Sequence, residues 1–96
     1  MGTMKKRRRV GGLLLAADDL VVVRFGGAGT QRGANGTQVA KVIAIDDDRA
    51  GLTVQKWLDA GARWANQRWI PARDLRGKPE KDDERAARAR ASMTRA

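Results

Sequence analysis

The sequence predicts a small all-β domain, an antiparallel barrel, with a basic segment in front and a charged, partly helical tail behind. Three observations lead there. Four β-rich runs of six to eight residues lie between Leu20 and Ile70, separated by Gly- and Asp-bearing turns, with no amphipathic helix between them. The 96 residues leave room for one small domain and its arms. The formal charge of +9 is concentrated outside that β-rich region.

The first predicted element is the arm, residues 1–12, holding Lys5, Lys6, Arg7, Arg8 and Arg9 and no acid. Five adjacent cations repel one another, so the arm is expected to be disordered alone, with Gly11-Gly12 as its boundary. The domain follows over residues 13–77, with nine basic and seven acidic side chains. Leu13–Leu15 is expected to add a closing strand to it.

Leu20-Val21-Val22-Val23-Arg24-Phe25 is a β-branched run that ends at Gly26-Gly27 and reads as a strand. The stretch 26–38 is a polar loop in which Ala28-Gly29-Thr30-Gln31 recurs as Asn35-Gly36-Thr37-Gln38. It lacks the Gly-Lys-Ser/Thr ending of a phosphate loop. Val39–Ile45 is the second strand, and Asp46-Asp47-Asp48 opens a turn rather than a cation site, since adjacent carboxylates in a tight turn do not converge. Asp18-Asp19 reads as a solvated start to the first strand.

Leu52–Leu58 and Arg63–Ile70 form the last hairpin, which Pro71 stops because proline offers no ladder donor. Two registers compete. A three-residue loop sets Leu58 opposite Trp64 and Leu52 opposite Ile70, and leaves Trp57 and Trp69 on a polar outer face. A four-residue loop sets Trp57 opposite Trp64. The first is preferred because it buries Leu52, Val54, Leu58, Trp64 and Ile70 together and pairs Asp59 with Arg63.

The segment Arg68-Trp69-Ile70-Pro71-Ala72-Arg73-Asp74-Leu75 resembles the close of SH3-like barrels, where a strand runs into a one-turn helix. The hairpin before it, and Asp19-Leu20-Val21-Val22-Val23, resemble Tudor-type members of that class. The resemblance spans residues 18–76, is one of fold, and implies a binding module. Leu75 would then plug the end of the barrel.

The tail, residues 78–96, has acids early (Glu80, Asp82, Asp83, Glu84) and arginines late (Arg85, Arg88, Arg90, Arg95), which suits a helix dipole. Its apolar stripe of Ala86, Ala89 and Met93 is small. The stripe is too small to anchor a helix firmly to the barrel, so a solvated tail is expected, and the alternative is a frayed helix that orders against an acidic partner.

With no Cys, His or Tyr, the chain has no thiol nucleophile, no imidazole base and no zinc-finger ligands. No cofactor, metal or enzymatic activity is expected. The absence of Cys favours a cytoplasmic location, and the longest apolar run is too short for a membrane span. Arg outnumbers Lys 14 to 6, in keeping with a bacterial or phage chain.

The composition points to DNA or RNA as partner. Lys5, Lys6, Arg7, Arg8 and Arg9 would meet phosphates without reading sequence. Trp57 and Trp69, rimmed by Arg32, Lys56 and Arg63, would give a stacking platform on the barrel face. The competing reading spends these Trp residues on packing, as small cores require, with Trp64 the clearest core candidate. The expected function is thus a non-catalytic nucleic-acid-binding accessory protein. The alternative is an adaptor that docks a partner protein through the barrel.

Overall fold

The computed structural model describes residues 7–24, 36–46 and 50–94. Eight strands and one helix follow in order. Strands β1 (Arg8–Val10) and β2 (Leu13–Leu15) precede β3 (Leu20–Arg24), β4 (Thr37–Asp46) and β5 (Gly51–Leu58). After a 3-10 turn at Asp59–Gly61 come β6 (Arg63–Trp64) and β7 (Arg68–Pro71). A second 3-10 turn at Ala72–Asp74 leads to β8 (Leu75–Gly77), and α1 (Glu84–Thr94) ends the described chain. The protein is mostly antiparallel β with one C-terminal helix.

The main sheet runs β6-β5-β4-β3-β8, and β7 pairs with β5 beyond β6. Its two ends are not hydrogen-bonded to each other among the described residues. Alternation along β3 and β5 puts Val21, Val23, Leu52 and Val54 on one face, where they are fully buried with Val42. In β4 the register shifts between Val42 and Ala44, so Ile43 is an extra residue. That bulge reverses the alternation and returns Ile45 to the core side, against the same cluster as Val42.

Gly11-Gly12 is the first departure from the sequence reading. Both residues have left-handed backbones, φ 57° and 85°, as a two-residue hairpin turn requires. Arg8–Val10 therefore pairs with Leu13–Leu15, Arg9 opposite Leu14 and Val10 opposite Leu13. These residues form a separate two-stranded ribbon, instead of a disordered arm followed by a closing strand. Val10 and Leu15 are buried in the main core and hold the ribbon there.

The last hairpin uses both registers. Near its turn Trp57 faces Trp64, the pairing of a four-residue loop. Further on Leu52 faces Ile70, Thr53 faces Trp69 and Val54 faces Arg68, the three-residue pairing. The segment 65–67 takes up the difference. It is tied down by the Ala65 N–H donating to the Lys56 carbonyl (2.9 Å) and by the Gln55 amide donating to the Ala65 carbonyl (3.0 Å). Asp59 consequently does not face Arg63; Leu58 does.

Asp18-Asp19 does more than start a strand. The Asp18 N–H donates to the Val42 carbonyl (2.7 Å), and the Asp19 carbonyl accepts from the Val42 N–H (2.8 Å). The Asp19 carboxylate accepts from the Ala16 N–H (2.9 Å), which fixes the link from β2 to β3. Leu75 is half-buried against the main cluster, at the start of β8.

Gly51 is where the sheet tolerates no side chain. A Cβ there would run into the Trp69 ring and the Ile70 carbonyl oxygen. Gly51→Val is expected to lower stability by about 1–3 kcal/mol, the range for overpacking. Gly61→Ala, whose Cβ meets only the flexible Arg63 side chain at 3.4 Å, should be near neutral. Urea midpoints of the two variants against the parent check the contrast; equal midpoints would contradict the Trp69–Gly51 contact.

Candidate nucleic-acid interface

Three groups of residues compete as the site: the Trp57 region, the Trp69 region and the basic ribbon. Trp57 leaves β5 on the face away from the main core, and there it meets α1. Only 3% of it is exposed, and it clusters with Leu20, Val39, Ala86 and Ala89. Its ring lies 4.9 Å from that of Trp64, tilted by 59°. The Lys41 ammonium sits 4.5 Å over the Trp64 ring, a cation–π contact on the same face. Trp57 is therefore a packing residue, and the expected exposed platform at this position is corrected.

The reason lies in the tail. Alanine is the strongest helix former, and Ala86 and Ala89 carry so little side chain that the helix backbone can approach the indole closely. The stripe that looks too small to anchor a helix is the right size to cover a tryptophan. Asp83 caps the helix, its Oδ1 accepting from the N–H groups of Arg85 (3.0 Å) and Ala86 (3.3 Å). The Arg85 guanidinium donates to the Thr37 carbonyl of β4 (3.2 Å) and to Asp83.

A second polar connection lies at the Asp59 turn. The buried Trp57 indole N–H needs an acceptor and finds Asp59 Oδ1 at 2.8 Å. The Arg88 guanidinium donates to both oxygens of the same carboxylate, 2.9 Å from Nε to Oδ1 and 2.7 Å from Nη2 to Oδ2. These donors, Arg88 first, hold the Asp59 carboxyl at about 2, against an ordinary value of 3.8 and against the opposing effect of burial. The Arg85 hydrogen bond likewise holds the Asp83 carboxyl below its usual range.

Trp69 lies elsewhere. It faces Thr53, four residues along β5 from Trp57, or about 13 Å at strand spacing, and it is half-buried over Gly51. The two rings do not make one platform. Lys56 pairs with Ala40 on the core side of the sheet, opposite to Trp57. Partial burial holds its ammonium pKa below the usual value, and the Arg68 charge adds to that, with Asp74 opposing. Arg63, opposite Leu58, is exposed on the side away from the Trp57–Trp64 pair. Lys56 and Arg63 thus do not rim the tryptophans. Arg32, Lys5 and Lys6 fall outside the described residues.

The ribbon presents charge differently. Arg7, Arg8 and Arg9 are all exposed. Alternation turns Val10, Leu13 and Leu15 to the core, and leaves Arg9 beside Leu14 on the outer face. Leu14 is 45% exposed and is the large hydrophobic residue that stands out on the described surface. The turn at Gly11 lies against Ala72, next to exposed Arg73. A cavity of about 210 Å³ opens between Arg9, Val10 and Gly11 and the facing Ile45, Asp46 and Gly51. The signal for this ribbon was present in the chain: a Gly-Gly pair between two short runs is a hairpin signature as well as a linker.

No known family model matches the sequence, and no characterised protein or solved structure shows significant similarity to it. Among the described residues no three Asp or Glu side chains are grouped to hold a metal ion, and no helix is long and apolar enough to cross a membrane.

The Asp59 connection predicts an acid response of defined sign. A folded-state pKa near 2, below the ordinary 3.8, means that the ionised carboxylate stabilises the fold. That contribution is complete above the ordinary value and is lost as pH falls through about 2. Tryptophan emission should shift to the red over this window as Trp57 is uncovered. Asp59→Asn should show the red-shifted emission, in part, already at neutral pH; an unshifted spectrum would mean that Asp59 does not hold the helix.

Proposed function

We propose that the chain is a non-catalytic nucleic-acid-binding accessory protein in which the basic segment Lys5–Arg9 meets phosphates and the β-sheet domain carries it. One observation supports this above the rest. Five consecutive cations end in a ribbon whose Val10 and Leu15 are buried in the core, so Arg7, Arg8 and Arg9 are held at the surface. Anchoring matters energetically, because cations already placed lose less side-chain and backbone freedom when they meet a polyanion.

The SH3-like reading of the sheet belongs to the same proposal. The meander β3-β4-β5-β7, the 3-10 turn at Ala72–Asp74 that follows β7, and the return of β8 to β3 accord with the order of elements in such barrels. Trp57 takes no part in base stacking in this reading, because α1 covers it.

The test is fluorescence anisotropy of labelled DNA and RNA oligonucleotides at two salt concentrations. The variant should replace Lys5, Lys6, Arg7, Arg8 and Arg9 by Gln and keep the chain length, since deleting residues 1–12 would strip Val10 from the core. The parent is expected to bind with a steep salt dependence. Each phosphate contact removed should lower the slope of log K against log salt by about 0.7–0.9. Unchanged affinity in the five-fold variant would dismiss the proposal and leave the protein-adaptor reading in its place.

A further inference from the structure

We infer that the preferred polyanion is B-form duplex DNA, engaged by the outer face of the β1–β2 ribbon, with Leu14 as an apolar contact beside Arg9. This rests on the proposed nucleic-acid reading and makes it specific about the form of the partner.

The first argument is what the surface lacks. Unpaired strands are held by aromatic rings on which bases stack. Among the described residues Trp57 is buried under α1, Trp64 packs at a tilt against Trp57 with Lys41 over its ring, and Trp69 lies half-buried over Gly51. No exposed aromatic platform is left among them. The exposed large side chain is aliphatic Leu14, which suits the edges of stacked bases or a thymine methyl better than the face of a single base.

The second argument is shape. A two-stranded antiparallel ribbon is about 5 Å between strand axes, and the B-DNA major groove, about 12 Å wide, admits one. The outer face of this ribbon is basic and apolar, with Arg9 directly across from Leu14. Residues 7–17 contain no acid to repel the phosphates on either side of a groove. The inner face is attached to the core by Val10 and Leu15, so the ribbon stands on the domain as a ridge with its outer face free to meet DNA. The A-form major groove of duplex RNA is too narrow to take it.

The experiment uses the full chain and four probes: a 20-bp mixed-sequence DNA duplex, a 20-nucleotide oligo(dT), a 20-bp RNA duplex, and vesicles of phosphatidylglycerol and phosphatidylcholine. The DNA duplex should bind about tenfold tighter than oligo(dT) or duplex RNA. Leu14→Ser, at an exposed position, should weaken duplex binding roughly fivefold with the salt slope unchanged, and Arg9→Gln should weaken it while lowering the slope by about 0.9. Arg90→Gln, the same charge change on the exposed surface of α1, is the control and should have a smaller effect.

Equal binding of duplex and single strand, no effect of Leu14→Ser, or an Arg90→Gln loss equal to that of Arg9→Gln would each overturn the inference while leaving phosphate binding intact. Binding to the vesicles tighter than to DNA would assign the same face to an anionic membrane and also overturn it. Failure to bind any of the nucleic-acid probes at low salt would instead remove the proposed function on which the inference rests.

Discussion

The indole of Trp57 joins the parts of this molecule that would otherwise be loosely associated. Its ring is the surface on which α1 rests, its N–H is satisfied by Asp59, and Asp59 in turn holds Arg88 of the helix. A helix whose buried residues are Ala86 and Ala89 has little apolar area of its own. The aromatic pair supplies the area, and the carboxylate supplies the direction. Without that arrangement α1 would be an isolated eleven-residue helix, shorter than is stable in water.

The same contact determines which surfaces are left to bind. Covering Trp57 removes the most obvious aromatic face from solvent and leaves charge as the dominant surface property. The N-terminal ribbon is the complement of the helix. Both are short elements with weak intrinsic stability, and both are held by a few residues, Val10 and Leu15 on one side and Ala86 and Ala89 on the other. They differ in what they expose. The helix turns outward a mixture of Glu84, Arg88 and Arg90, partly neutralised by the pair of Arg88 with Glu84 at 3.8 Å. The ribbon turns outward arginine and leucine with no acid in its own sequence.

Much of the sheet was legible because its runs obey a two-residue period. Val21, Val23, Leu52, Val54 and Ile70 could be assigned to one face from alternation alone, and they form one cluster. Alternation fails wherever the period is interrupted. The extra residue Ile43, and the segment 65–67 that reconciles two registers of one hairpin, are local irregularities with no composition signature. A one-residue shift exchanges the faces of a strand. The relation of Trp57 to Trp64 therefore could not be read from either register taken alone. Gly11-Gly12 posed a different ambiguity, since the same pair serves as a flexible linker or as a tight turn, and only the burial of Val10 decides between them.

The chain itself determined the β class, the strands around Val21, Val42 and Val54, the helix-forming charge order of the tail and the concentration of cations before residue 10, because each depends on local sequence. Tertiary structure alone decided that Trp57 is core and not platform, that Lys56 and Trp57 lie on opposite faces, and that Leu14 stands exposed beside Arg9. These outcomes depend on which surfaces meet. A side chain's period says which face it occupies, but burial is set by the element that comes to rest on that face. Here that element is a run of alanines more than twenty residues further along the chain.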